Sequence, residues 1–184
     1  KERMDFYKEI YEKIFEITGR PKQILDLACG LNPLSYPMMN VLDLKYIASE
    51  LNQADTDFIQ HYFNIISKYT LLQGKAFAID LLKLKDNETS RKLIEQHPEI
   101  KHSDLCFLFK TLPVIERVQK NISRDLLKWI PSDWVVISLS SKSMHQGKNI
   151  AKPRQVWLES LLNDLGYNFH VLEFKNEIFY VVKK

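Results

Sequence analysis

Much that would tie a chain to a membrane, a metal or an oxidising compartment is missing from this sequence. It has no apolar run long enough to span a bilayer and no signal-peptide pattern, so the expectation is a cytoplasmic protein with no membrane partner. There are only two cysteines, Cys29 and Cys106, and both lie in apolar strand-like runs, which reads as buried free thiols in a reducing compartment. No Cys/His spacing suits a zinc site, and no metal is expected. With five glycines in the chain, the G-x-G-x-x-G phosphate turn is absent. An excess of one charge is lacking too: 26 Lys and Arg against 23 Asp and Glu leave +3, which permits an RNA partner without demanding one.

What is present begins with length. At 184 residues the chain is one domain's worth, and its 45% hydrophobic content is enough for a sizeable core. The stretch that organises it is Gln23-Ile24-Leu25-Asp26-Leu27-Ala28-Cys29-Gly30-Leu31-Asn32-Pro33. An apolar run with one acid that stops at a glycine is how a buried parallel strand looks when it opens into a tight turn beneath a nucleotide. Gly30 lets the backbone sit directly against a ligand, Asn32 tolerates unusual dihedrals, and Pro33 fixes the chain as it leaves. Asp26 is costly inside a strand unless its carboxylate meets fixed donors in the turn or on a ligand. On these residues alone, a buried strand followed by an ordinary loop remains an equal alternative.

The rest of the chain alternates helical and strand patterns. Residues 2–17 carry Met4, Phe6, Tyr7, Ile10, Tyr11, Ile14, Phe15 and Ile17 at helical spacing, and Thr18-Gly19-Arg20-Pro21 stops them. A short helix broken at Pro37 is expected over 34–44, a strand over 46–50 ending in Glu50, and an amphipathic helix over 53–72. A third strand over 76–80 ends in Asp80, a charge-rich helix follows over 85–97, and a fourth strand runs over 103–110. One helix is expected over 114–130, a fifth strand over 134–140, a loop over 141–152 and a last helix over 155–165. Two strands, 169–174 and 177–182, then flank a turn at Lys175-Asn176. The pattern is α/β on its own.

An acid at the end of a second strand, roughly 20 residues past the glycine turn, can accept both ribose hydroxyls of a nucleotide. Glu50 stands there, with a solvated acid as the other reading. The exit of the fourth strand places Phe109, Lys110, Thr111, Leu112 and Pro113 at the crevice. Lys110 reads either as a phosphate or base contact or as a snorkelling surface lysine. The 141–152 loop, with Lys142, His145, Lys148 and Lys152 and Arg154 beside it, is the best RNA-contact candidate.

Four stretches then carry a family likeness. Asp26-Leu27-Ala28-Cys29-Gly30-Leu31-Asn32-Pro33-Leu34 resembles the S-adenosylmethionine (SAM) motif of the aminoglycoside-resistance 16S rRNA guanine-N7 methyltransferases of the Arm/Rmt type. Lys1-Glu2-Arg3-Met4, Leu108-Phe109-Lys110-Thr111-Leu112-Pro113-Val114-Ile115-Glu116 and Ser138-Leu139-Ser140-Ser141-Lys142-Ser143-Met144 are similar to the same family in the same order. The sequence departs from it after Ser138, where relatives read Phe-Pro-x-Lys-Ser-Leu and then a glycine-rich stretch. This puts the loop's shape and the target nucleotide in question.

The resemblance implies a Rossmann-like, seven-stranded SAM-dependent methyltransferase fold, mostly parallel with a C-terminal antiparallel hairpin and strand order 3-2-1-4-5-7-6. It implies a methyltransferase domain over 21–184, with 1–20 as the end of an upstream helical RNA-binding region. SAM, converted to S-adenosylhomocysteine, would be held by Asp26, Ala28, Gly30, Asn32, Glu50, Leu51, Asp80, Leu81 and Phe109. Asp80 would stand near the adenine, although an acid after a strand is as often a helix cap. Lys110 and Lys142 would position the base or its phosphate, and Lys148 and Arg154 would attract the RNA backbone. The implied substrate is N7 of a guanosine in 16S rRNA within the 30S subunit, and the enzyme would act as a monomer. A SAM methyltransferase for another RNA or a small molecule, or a non-catalytic RNA-binding protein of the same fold, are the competing readings.

Overall fold

The computed structural model describes residues 6–84, 87–141 and 151–184, the side chains of 87, 89, 90 and 151–154 excepted. Its strands are β1 (Gln23–Leu27), β2 (Lys45–Glu50), β3 (Gln73–Ala78), β4 (Ser103–Phe109), β5 (Ser132–Ser140), β6 (Asn168–Phe174) and β7 (Glu177–Lys183). They form one sheet in the order β3-β2-β1-β4-β5-β7-β6. β1 through β5 pair in parallel, whereas β7 runs antiparallel to both β5 and β6. Both the order and the terminal hairpin match the expectation.

The helices are α1 (Tyr7–Thr18), α2 (Gln53–Ile66), α3 (Asn87–Gln96), α4 (Leu112–Val118), α5 (Ile122–Trp129) and α6 (Ala151–Asp164). Because side chains alternate across a strand, the central strands need apolar residues on both faces. Ile24, Tyr46, Ala48, Leu105, Phe107, Val136 and Phe179 face one way, where α1 and α2 cover them through Tyr11, Ile14, Ile59 and Phe63. Leu25, Leu27, Ile47, Cys106, Leu108, Val135 and Ile137 face the other way, under Leu126, Leu127, Leu158 and Leu162 of α5 and α6. α1 is therefore packed on the sheet, with Ile10, Tyr11, Ile14 and Phe15 all buried. Gly74 in β3 allows α2 to sit close, since a Cβ there would stand 2.2 Å from Cγ of Phe63.

Several boundaries differ from those the sequence suggests. The expected helix broken at Pro37 is a 3₁₀ helix, Asn32–Met38, with Pro37 inside it. The tighter winding is set in the preceding turn, where Asn32 N–H bonds Cys29 C=O at 3.0 Å and Leu34 N–H bonds Leu31 C=O at 3.2 Å. α2 stops at Ile66 rather than 72: the N–H groups of Lys68 and Tyr69 reach back only three residues, to the carbonyls of Ile65 (3.2 Å) and Ile66 (3.0 Å), and Thr70 Oγ1 also takes the Ile66 carbonyl at 3.0 Å. β3 begins at Gln73, which is three residues early, and releases Asp80 to the following turn. The single helix expected over 114–130 is two. Asn121 turns left-handed at φ +65°, and the Glu116 carboxylate accepts the N–H groups of Asn121 (2.6 Å) and Ser123 (3.1 Å), capping α5. The loop expected to reach Lys152 ends sooner, since α6 starts at Ala151.

Candidate functional site

Strand order reverses between β1 and β4, and in open α/β sheets ligands bind at the carboxyl ends of the strands at such a point. The turn leaving β1 is left-handed at both Ala28 (φ +50°) and Gly30 (φ +52°). That conformation is unfavourable for an L-residue such as Ala28, so the surroundings must hold it. Open space lies where a Cβ of Gly30 would point, with no atom within 4 Å. The end of β2 secures the turn twice: Cys29 N–H donates to Ser49 C=O at 3.0 Å, and Gly30 N–H donates to Glu50 Oε1 at 2.6 Å. The other Glu50 oxygen takes Leu51 N–H at 3.0 Å. Each carboxylate oxygen can accept a second bond, so Glu50 keeps acceptor capacity for a ligand.

Asp26 meets donors inside the protein. Its Oδ2 accepts from Tyr46 OH at 2.6 Å and from Asn32 Nδ2 at 2.9 Å, and both Asp26 and Asn32 are buried. Tyr46 is fully buried, and burial followed by the Asp26 charge pushes its phenol well above the ordinary range, so it stays a donor. The same two causes, with Glu50 added, push the Cys29 thiol up. Asp26 and Asn32 thus sit beneath the turn, whereas Gly30 and Leu51 are exposed on it.

At the end of β3, Asp80 caps a short 3₁₀ helix, Leu81–Lys83, through Leu82 N–H at 3.1 Å, and Lys83 Nζ lies 3.8 Å from its other oxygen. Leu81 is buried in the core. At the end of β4, Phe109 stacks on Phe107 with ring centres 4.7 Å apart and meets Phe179 edge-on. Lys110, like Ala28, is a non-glycine residue in the left-handed region, at φ +62°. Its N–H is pinned by the carbonyl (3.1 Å) and Oγ (3.0 Å) of Ser138 on β5. Its ammonium pairs with Glu177 Oε2 at 3.5 Å, and that carboxylate is only 5% exposed. Lys110 is therefore tied to the C-terminal hairpin rather than simply snorkelling.

The structure brings Ala28, Gly30, Glu50, Leu51, Asp80, Phe109 and Lys110 to the carboxyl ends of four neighbouring strands. Lys142 and Lys148 lie outside the described residues. Arg154 lies in α6 with its side chain outside them. Sequence reasoning did not single out Tyr11, Tyr46, Ser138 or Glu177 as site residues: Tyr46, Ser138 and Glu177 become relevant only through strand register, and Tyr11 only through the packing of α1 on the sheet. Elsewhere, His102, Asp104 and Asp133 bring possible ligand atoms within 4.8 Å of one another at the opposite end of the sheet. Asp104 Oδ2 is already engaged there by the N–H groups of Lys22 (2.6 Å) and Gln23 (2.8 Å). A concavity of about 330 Å³ beside α5 and α6, bordered by Glu116, Arg124, Trp157 and Asp164, lies on the flank of the sheet and not at the strand ends.

A parallel sheet reversing at β1/β4, an antiparallel hairpin closing it and a glycine turn answered by an acid on β2 define the Rossmann-like methyltransferase fold. Solved structures of that fold superpose on the whole chain. The 16S rRNA methyltransferase RmtF in complex with S-adenosyl-L-homocysteine gives a TM-score of 0.78 at 20% identity, covering 100% of this chain and 64% of that one. The 16S rRNA methylase ArmA gives 0.73 at 24%, covering 98% of this chain and 83% of that one. The chain belongs to the FmrO family of ribosomal RNA methyltransferases, whose model matches residues 1–181. Among its relatives are the 16S rRNA (guanine(1405)-N(7))-methyltransferases of Frankia casuarinae (26% identical over 186 residues) and Micromonospora rosea (28% over 186). Both alignments cover 100% of this chain but 60% and 62% of those proteins, so the chain spans about three fifths of their length.

Proposed function

We propose that this chain is the catalytic part of a SAM-dependent methyltransferase acting on N7 of a guanosine in 16S rRNA of the 30S subunit, in the cytoplasm. The observation that carries the reading is the turn at Ala28 and Gly30 closed by Glu50, with open space above the glycine. Family membership and relatives named for the N7 reaction support the substrate.

The residues fit SAM. Backbone at Gly30 is bare enough to lie against it, and Glu50 retains acceptor capacity for ribose hydroxyls. Leu51 and Phe109 offer apolar surface at the mouth, Asp80 an acceptor at the end of β3, and Asp26 and Asn32 support from below. SAM would supply an electrophilic methyl group. Guanine N7 carries an exposed lone pair and needs no deprotonation, so the chain has no general base to provide. What its residues must do is align the base and exclude water, an effect worth about 7–11 kcal/mol at best. The deep A-form groove hides N7, so the base must be distorted or flipped out to reach the crevice. Lys110, fixed at β4, would meet the base or its phosphate, with Lys142, Lys148 and Arg154 engaging the RNA backbone.

The test is to incubate the chain with 30S subunits and methyl-labelled SAM and to map the labelled nucleoside by mass spectrometry. N7-methylguanosine in 16S rRNA is expected. Label on another nucleoside contradicts the N7 assignment, and SAM binding without any transfer contradicts catalysis by this chain.

A further inference from the structure

Beneath the candidate cofactor turn, side chains from four elements join in one buried hydrogen-bonded chain that starts on α1. Tyr11 OH lies 2.6 Å from Ser35 Oγ and 3.2 Å from Asn32 Oδ1. Ser35 Oγ lies 2.6 Å from the Asn32 carbonyl. Asn32 Nδ2 donates to Asp26 Oδ2, which Tyr46 OH also reaches. Tyr11, Asn32, Ser35, Asp26 and Tyr46 are each at most 5% exposed.

The protons can be placed in two ways. If Ser35 donates to the Asn32 carbonyl, Tyr11 donates to Ser35. If Ser35 donates to Tyr11, then Tyr11 donates to Asn32 Oδ1. Both arrangements end on Asn32. With its Oδ1 facing the phenol, the Asn32 amide must turn Nδ2 toward Asp26. The Asn32–Asp26 bond spans the turn, with Ala28 and Gly30, both left-handed, between its ends.

Packing alone does not account for the hydroxyl. The Tyr11 ring stacks with Tyr7 (5.7 Å) and Phe15 (6.0 Å) along α1 and lies 6.0 Å from Phe107, contacts that phenylalanine would keep. Burying a phenolic oxygen is unfavourable unless it is bonded, and its bonds to Ser35 and Asn32 lead to the turn.

We propose that Tyr11 is a positioning residue for the cofactor: its hydroxyl, through Ser35 and Asn32, holds the Asp26–Asn32 clamp that keeps the glycine turn in its ligand-ready shape. This makes α1 part of the SAM site without touching SAM, and it rests on the SAM reading above.

The experiment compares SAM affinity and thermal stability in the 184-residue chain, Tyr11→Phe and Ile14→Val. Ile14→Val trims the same buried face of α1 and serves as the stability control. It is expected to lower Tm and leave the SAM Kd within twofold, whereas Tyr11→Phe weakens Kd at least fivefold at a temperature where both variants are folded. Tyr11→Phe within twofold of the parent overturns the proposal, as does an equal loss in Ile14→Val. Should Tyr11→Phe fail to fold, Tyr11→Phe combined with Ser35→Ala removes both hydroxyls that lead to Asn32 and leaves neither buried without its partner. It is expected to weaken SAM in the same way, and unchanged affinity there is equally fatal. A parent chain that takes up no SAM removes the cofactor reading itself, a result distinct from a parent and a Tyr11→Phe variant that bind alike.

Discussion

Glu50 Oε1 accepts the backbone N–H of Gly30 at 2.6 Å, so the acid that ends the second strand closes the turn that follows the first. The carboxylate at the end of β2 thus has a structural task before any ligand arrives, and in the proposed SAM site the same atoms would meet the ribose.

Removing that carboxylate tests both tasks. Glu50→Ala takes away the acceptor for Gly30 and Leu51 N–H groups together, and hydrogen bonds to a charged group contribute about 1.5–3 kcal/mol. Ribose hydroxyls bonded to the same charged group would lose a similar amount, so SAM affinity should fall about 10- to 100-fold by calorimetry. Glu50→Gln keeps one carbonyl oxygen and should lose less. Equal Kd values for all three chains would refute the role.

Two glycines should respond differently to alanine. At Gly30 the cost is backbone strain alone, about 1–2 kcal/mol, because nothing stands within 4 Å of the added Cβ. At Gly74 the added carbon meets the buried Phe63 ring, an overpacking cost of about 1–3 kcal/mol. Denaturation should show both losses, but only Gly30→Ala should also weaken SAM. A Gly74→Ala variant with the greater loss of affinity would contradict this division.

The buried thiols set an alkaline limit. Burial first, and the Asp26 charge next, raise both Cys29 and Cys106 above their ordinary value of 9.0. A group whose pKa is raised on folding contributes stability that is fully present below its unfolded pKa and lost as pH rises beyond it. The urea midpoint should hold up to about pH 8 and decline above about pH 9. In a Cys29→Ala, Cys106→Ala double variant the decline should be shallower. A midpoint flat to pH 10.5 in the parent chain would count against the assignment. By the same reasoning, neither thiol should react with a disulfide reagent at pH 7 until the chain unfolds.

Lys110 and Glu177 tie the β4 exit to the hairpin. Lys110→Met withdraws the ammonium from a carboxylate that is 5% exposed. Breaking a fully buried pair costs about 3–5 kcal/mol; with Lys110 37% exposed, screening should reduce the loss to about 1–2 kcal/mol. Glu177→Gln, which removes the buried charge, should cost less than Lys110→Met. The opposite order in urea denaturation would show that the pair is not what stabilises the exit.

The sheet was legible in the sequence because its strands are short apolar runs set between helical periods. The hairpin was legible because Lys175-Asn176 interrupts two such runs. Spacing offered Gly30 and Glu50 beside an ordinary loop and a solvated acid, and the family likeness favoured them. The Tyr46 contact with Asp26 could not be found by spacing, since it depends on register: β1 and β2 pair Ile24 with Tyr46, which puts Asp26 on the same face as the phenol. The same holds for Glu177, which reaches Lys110 only because β7 inserts between β5 and β6. The division into α4 and α5 was hidden because both segments share an apolar helical period, and the break is made by one side chain, Glu116, turning back on the backbone.

Whether the turn at Gly30 holds SAM is read straight from calorimetric titration of the 184-residue chain with SAM. One binding event per chain is expected, with a micromolar Kd that Glu50→Ala weakens. No heat and no thermal shift at millimolar SAM would contradict a SAM site at that turn.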